Sequence, residues 1–264
     1  MSLGNVLKMK TALEDKVQYY FRLDEDLTHL NPLIGQEIEL VFEGQINCIS
    51  CGTKTKKSFA QGFCYKCFIS APESAPCIIK PELCEAHLGK GRDVAWEEAH
   101  HNQPHIVYLA KSSAVKVGVT RSTQLPTRWI DQGASEAIVL AEVPYRRLAG
   151  EIEVALKNHF TDKTNWQRML KNEISPLDLL EIKEKCISES LPEKYVDFVS
   201  KNNEIVKLDY PVLDFPNKIK SISFDKQPII NATLKGIKGQ YLYFDEGKVI
   251  NVRKHSGYLV KLNY

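Results

Sequence analysis

The spacing of the cysteines constrains this chain more than any other feature. Six of the seven fall between Cys48 and Cys84. Cys48-Ile-Ser-Cys51 and Cys64-Tyr-Lys-Cys67 are two C-x-x-C pairs with twelve residues between them. Each pair can sit on a tight knuckle and present two thiolates, so Cys48, Cys51, Cys64 and Cys67 are expected to hold one tetrahedral structural Zn²⁺. Gly52 and Gly62 suit the turns such knuckles need. The N-terminus, MSLGNVLKMKTALEDK, has no signal peptide's apolar core. That points to a cytoplasmic protein and disfavours disulfides. A redox C-x-x-C would not come as a matched pair outside a β-α context. A second metal site is expected from Cys77, Cys84, His87 and His101, although the spacing matches no standard finger. Two buried thiols with surface histidines are the alternative.

Charge narrows the function classes. The net charge is only +2, so the molecule is no polycation, and no apolar run approaches a membrane span. Between Pro104 and Lys171, however, ten Lys/Arg face six Asp/Glu, an excess of +4 that leaves the remainder at −2. A local excess of this size fits a phosphate-facing surface, and solvated helix faces give it too.

The same region has the clearest secondary-structure pattern. His105–Ala110 and Val115–Thr120 are β-rich runs joined by Lys111-Ser112-Ser113, which predicts an antiparallel hairpin. A short helix around Pro126–Gln132 ends at Gly133. A strand over Ala137–Val143 then leads through Pro144 into a helix to about Phe160, with Leu148, Ile152, Ala155 and Leu156 at helical spacing.

That order, strand, strand, helix, strand, helix, resembles the GIY-YIG nuclease fold. Ile106-Val107-Tyr108 stands where the first signature tripeptide would be and Lys116-Val117-Gly118 where the second would be, with Lys116 in place of the usual tyrosine. Arg128, Glu153 and Asn165 match the remaining positions. The resemblance implies phosphodiester hydrolysis. Glu153 would hold one Mg²⁺ or Mn²⁺, a hard ion suited to carboxylate oxygen. Arg128 would stabilise developing charge, and Tyr108 would act as base or water-orienting group beside Lys116. Asn165 would hydrogen-bond within the site. Taken singly, each residue also has an ordinary reading as a core aromatic, a helix-surface charge or a turn cap.

A wider resemblance covers nearly the whole chain. The two C-x-x-C pairs, Lys80-Pro81-Glu82-Leu83-Cys84, Gly91-Arg92-Asp93, Lys116 to Arg121, Thr127 to Ala134, Thr164-Asn165-Trp166 and Gly236 to Leu242 together resemble the bacterial domain of unknown function 2797 family. The resemblance implies cysteine where Gly91 and His101 stand here, which either speaks against a second zinc or hands a ligand role to His101 and His87.

The flanking segments supply scaffold. Residues 1–47 read as strands expected to join a C-terminal barrel, 48–103 as the zinc-binding module, 104–172 as the GIY-YIG-like core, and 173–205 as a helical connector. In residues 206–264 five short strands (Lys218–Phe224, Ile229–Lys235, Gln240–Phe244, Val249–Arg253 and Tyr258–Leu262) predict a small β-barrel. Lys235, Lys238, Tyr241, Tyr243, Arg253, Lys254 and Tyr258 interleave base and aromatic there, a pattern used by single-strand binders. The expectation is thus an α+β protein that acts on nucleic acid, DNA or RNA, as a metal-dependent endonuclease. A non-catalytic nucleic-acid-binding zinc protein and a protein-interaction scaffold retaining the fold are the alternatives.

Overall fold

The computed structural model describes residues 1–157 and 165–264. The chain begins with β1 (Ser2–Ala12), β2 (Gln18–Leu23), β3 (Asp26–His29), β4 (Glu37–Asn47) and β5 (Lys54–Thr55). Two helices follow, α1 (Tyr65–Ser70) and α2 (Val94–His101). Next come β6 (His105–Lys111), β7 (Val115–Arg121), α3 (Thr127–Asp131), β8 (Glu136–Val143) and α4 (Arg146–Lys157). After α5 (Trp166–Leu170) and α6 (Leu179–Lys185) the chain returns to strands. These are β9 (Val206–Lys207), β10 (Lys220–Ile222), β11 (Ile229–Lys238), β12 (Tyr241–Phe244), β13 (Lys248–Asn251) and β14 (Tyr258–Asn263). The helix expected to reach Phe160 is described to Lys157, and its last expected residues, with Thr164, lie outside the described residues.

The elements fall into two compact units, and the protein is mixed α and β. The first comprises Met1–Ile69, Ile130–Gly133 and Asp209–Tyr264. Its sheet runs β10-β13-β12-β11-β4-β14-β1-β2-β3, with β5 added on β4. The N-terminal strands interleave with the C-terminal ones, β14 lying between β1 and β4. The expected barrel does not form. Among the described residues β10 pairs only with β13 and β3 only with β2, so both ends of the order stay open. The interleaved lysines and tyrosines also do not make one surface. Lys238 is 1% exposed, with its ammonium over the rings of Tyr210 and Phe215 at 5.1 and 5.5 Å. Tyr243 and Tyr258 are buried as well. These residues sit at inward positions of their strands, so their apolar surface builds core.

The second unit comprises Ser70–Trp129 and Ala134–Leu208. Its sheet runs β7-β6-β8-β9, antiparallel throughout. β6 is flanked on both sides, which is why its sequence HIVYLAK is apolar almost without interruption and buried along nearly its whole length. On β7 the alternation is clean. Val115, Val117 and Val119 join the core that includes Ala149, Ile152 and Leu156 of α4, so Lys116, Gly118 and Thr120 belong to the opposite face. Burying Ile152 and Leu156 contributes about 1.5–3 kcal/mol each. Among the described residues, no helix is long and apolar enough to cross a membrane.

Candidate functional site

The first unit brings Cys48, Cys51, Cys64 and Cys67 together, with all four sulfurs within 4.8 Å of one another. Two tight loops do this. In the first, Gly52 N–H bonds Cys48 O and Cys48 N–H bonds Thr53 O. In the second, Phe59 and Phe63 exchange N–H···O bonds, and the Cys67 amide donates to Cys64 Sγ at 3.5 Å. A hydrogen bond from Ile49 N–H to Gly62 O joins the loops. The sulfurs share protons unequally. Hydrogen bonds from Thr53 draw Cys51 down to about 6, and hydrogen bonding with Cys51 pushes Cys67 up to about 12. Four convergent sulfurs have the donor set of a structural zinc.

A second cluster lies in the other unit. Cys77, Cys84, Glu97 and His101 are all buried, and their ligand atoms lie within 4.8 Å of one another. His101 Nδ1 is 3.6 Å from Cys84 Sγ, 3.9 Å from Cys77 Sγ and 2.5 Å from Glu97 Oε2. Three of the four ligands expected from sequence therefore meet. His87 does not join them. It lies on the single turn Ala86–Leu88 with its ring stacked on Tyr145 at 4.6 Å, and its Nδ1 is buried without a partner among the described residues. Glu97 stands in its place, one helical turn before His101 on the same face of α2. Asp93 caps that helix by accepting from Trp96 N–H. Gly91 leaves room for the carboxylate, since a Cβ there would lie 2.4 Å from Glu97 Cγ.

The residues matched to catalytic positions also lie in the second unit. Tyr108 pairs with Gly118 across β6 and β7, and its ring passes over the glycine. A Cβ at 118 would sit 2.5 Å from both Cζ and Oη of the tyrosine, so only glycine fits. Trp129 of α3 meets Tyr108 edge-on at 6.1 Å, and Tyr108 is fully buried. Lys116 is one step along the same face of β7, opposite Ala110.

Arg128 and Glu153 both act on a residue that sequence reasoning did not single out, Arg146 at the start of α4. Burial pulls the Arg146 guanidinium below its ordinary value, Cys77 and Cys84 act against that, and Arg128 (downward) and Glu153 (upward) have smaller effects. Arg146 donates to the carbonyls of Cys77 (3.1 and 2.9 Å) and Ile78 (2.9 Å), which ties the second cysteine cluster to α4. Glu153 is 9% exposed, and its Oε1 is 3.4 Å from Lys157 Nζ. Burial raises its pKa and Glu82 adds to the rise, against Lys157 and Arg146. Glu82 is the other residue missed. Asn165 stands apart as the N-cap of α5, accepting from Gln167 and Arg168 N–H, while Ser113 Oγ donates to its carbonyl at 3.3 Å.

Buried polar atoms are normally satisfied. Glu82 Oε2, His105 Nε2 and Trp129 Nε1 are buried here without a partner among the described residues. His105 is fully buried close to Arg146 and Arg121, and burial holds its imidazole down at about 4, hence neutral. Arg146 thus has Arg128, the buried Glu153 and the neutral His105 near it, so cationic and anionic groups meet at the start of α4.

No curated protein and no solved structure matches this chain. Residues 35–260 match the family described as protein of unknown function (DUF2797), and the chain belongs to that family.

Proposed function

We propose that this protein acts on nucleic acid as a metal-dependent phosphodiester hydrolase with a GIY-YIG-type site, stabilised by structural zinc. The approach of Arg128 and Glu153 to Arg146, whose guanidinium is fixed by the Cys77 and Ile78 carbonyls, supports the reading. Two guanidinium groups within reach of each other suit an anion, since their forks match phosphate oxygens. Arg128 then binds the scissile phosphate and offsets charge developing on it. Glu153 fits a hard divalent cation, since its carboxylate is buried, Lys157 meets it at 3.4 Å and a second carboxylate, that of Glu82, is close by. Such a cation, when bound, supplies Lewis acidity to the phosphate and a lowered pKa to its water. Tyr108, fully buried against Gly118 and Trp129, acts as a positioning residue. Lys116 adds positive charge one ladder step away. The four-cysteine cluster and the Cys77/Cys84/Glu97/His101 cluster each hold zinc, the second fixing the segment that Arg146 ties to α4.

The test is a mixed panel of DNA and RNA incubated with Mg²⁺ or Mn²⁺. Arg128→Ala and Glu153→Ala should abolish cleavage while the proteins keep their zinc and still bind the panel. Lys116, standing where the family pattern has tyrosine, favours one rival, a zinc protein that binds nucleic acid without cutting it. Binding by wild type with no cleavage anywhere on the panel would establish that rival.

A further inference from the structure

We infer that Glu82 is a second carboxylate of the Glu153 site, and that the two together hold one divalent cation. The inference rests on the hydrolase reading above and adds to it a residue from the cysteine-bearing segment.

The backbone geometry is decisive. Residues Pro81–Leu83 form a single turn that packs directly on α4 at Gly150. A Cβ at 150 would lie 2.2 Å from the Glu82 amide nitrogen, 2.5 Å from Pro81 C and 2.7 Å from Pro81 Cβ. The two backbones thus touch with no side chain between them. Glu153 is three residues further along the helix, on the same face. Helical side chains lean toward the N-terminus and lie over the preceding turn. The Glu153 carboxylate is therefore carried back over Gly150, toward the place where Glu82 enters.

The chemistry agrees with the geometry. Glu82 Oε2 is shielded from solvent and has no hydrogen-bond partner among the described residues. His105 Nε2, on a fully buried side chain near Arg146, is likewise unpaired. Glu82 is close enough to Glu153 to disfavour its ionisation. Lys157 and Arg146 lie near Glu153, yet Glu82 Oε2 keeps no partner among the described residues, so a cation between the two carboxylates would satisfy both. The segment bearing Glu82 is pinned at Cys77 and Ile78 by Arg146, and Cys84 belongs to the second cysteine cluster. Glu82 therefore has little freedom to swing away. Carboxylate oxygens select a hard ion such as Mg²⁺ or Mn²⁺, whereas the thiolate clusters select zinc.

The experiment is Mn²⁺ binding to the zinc-loaded full chain, followed by electron paramagnetic resonance, for wild type, Glu82→Gln and Glu153→Gln. Wild type should bind one Mn²⁺ beyond its zinc. Each substitution should weaken that binding by at least about tenfold, since loss of even an outer partner of a metal site costs about 10- to 100-fold. Zinc content should not change. Should Glu82→Gln misfold, wild type itself supplies the readout. Fe²⁺ with peroxide and ascorbate in place of Mn²⁺ should cut the backbone near both 81–83 and 150–154. Mn²⁺ binding that depends on Glu153 but not on Glu82, or iron cuts near 150–154 alone, overturns the inference and leaves the hydrolase reading standing. No Mn²⁺ binding by wild type overturns both.

Discussion

Replacing Gly150 by alanine isolates the contact on which the site depends. In an exposed helix interior this change stabilises by about 1 kcal/mol, because alanine loses less backbone entropy than glycine. Here the added methyl carbon meets Glu82 N at 2.2 Å and Pro81 C at 2.5 Å, whereas ordinary contacts begin near 3.4 Å. One of the two backbones must retreat by about 1 Å. Neither does so easily, since α4 is anchored by Ile152 and Leu156, and the 77–84 segment by Arg146. Overpacking of this kind costs about 1–3 kcal/mol, which outweighs the helix gain, so the net change should be a loss of up to about 2 kcal/mol. Tryptophan fluorescence suits the assay. Trp96, Trp129 and Trp166, the chain's three tryptophans, all belong to the second unit. Urea unfolding followed at these residues reports that unit without requiring two-state behaviour of the whole chain. A Gly150→Ala protein that unfolds at the same or higher urea concentration would refute the claim that the turn at Glu82 lies against α4.

Three other outcomes follow from the same geometry. Burial raises the Glu153 carboxyl, so the folded state holds that proton more tightly than the unfolded state does. Its ionisation costs stability as pH rises from the ordinary carboxylate value to the raised one, and the cost persists above that window. Glu153→Gln should therefore be as stable as wild type or more so at neutral pH, with the difference vanishing near about pH 4. A clear loss of stability in neutral urea titrations would show that the ionised carboxylate is structural. Cys48→Ser or Cys67→Ser should lower zinc content and folding yield together, and elemental analysis finding no zinc in wild type with freely reactive thiols would reject the four-sulfur site. Affinity for nucleic acid should fall steeply with salt, and neutralising Lys116 and Arg121 should flatten the slope. Binding indifferent to salt, or absent for every nucleic acid tried, would favour a protein-interaction scaffold.

Local pattern was the legible part of the fold. The two C-x-x-C pairs, the apolar run of β6 and the alternation of β7 are short-range signals, and each describes the element that forms. Closure of the C-terminal strands was not legible, because a barrel and an open sheet share the same alternation. They differ only in whether the end strands pair, and here β10 and β3 do not meet. Lys238 and Tyr243 looked like binding residues for a related reason, since type alone does not say which strand face carries them. In the second cysteine cluster the sequence pointed to His87, while the structure brings Glu97 beside His101. The i, i+4 spacing of Glu97 and His101 was readable, but a glutamate among surface-type residues of a short helix gave it no prominence. Glu82 and Arg146 were invisible for a deeper reason. Their roles arise from the contact between the 77–84 segment and α4, some seventy residues apart in sequence, and only a glycine at 150 hinted at a close approach.

The central claim is that Arg128 and Glu153 form a cutting site, and single-turnover cleavage measures it most directly. Wild type and Glu153→Gln, prepared identically and matched in zinc content, are mixed in excess with end-labelled DNA and RNA substrates in Mn²⁺. The account predicts cleavage by wild type and a rate lower by about a hundred- to a thousandfold in the variant, the usual cost of losing one transition-state electrostatic contact. Equal rates for the two proteins, or no cleavage by wild type on any substrate, would contradict it.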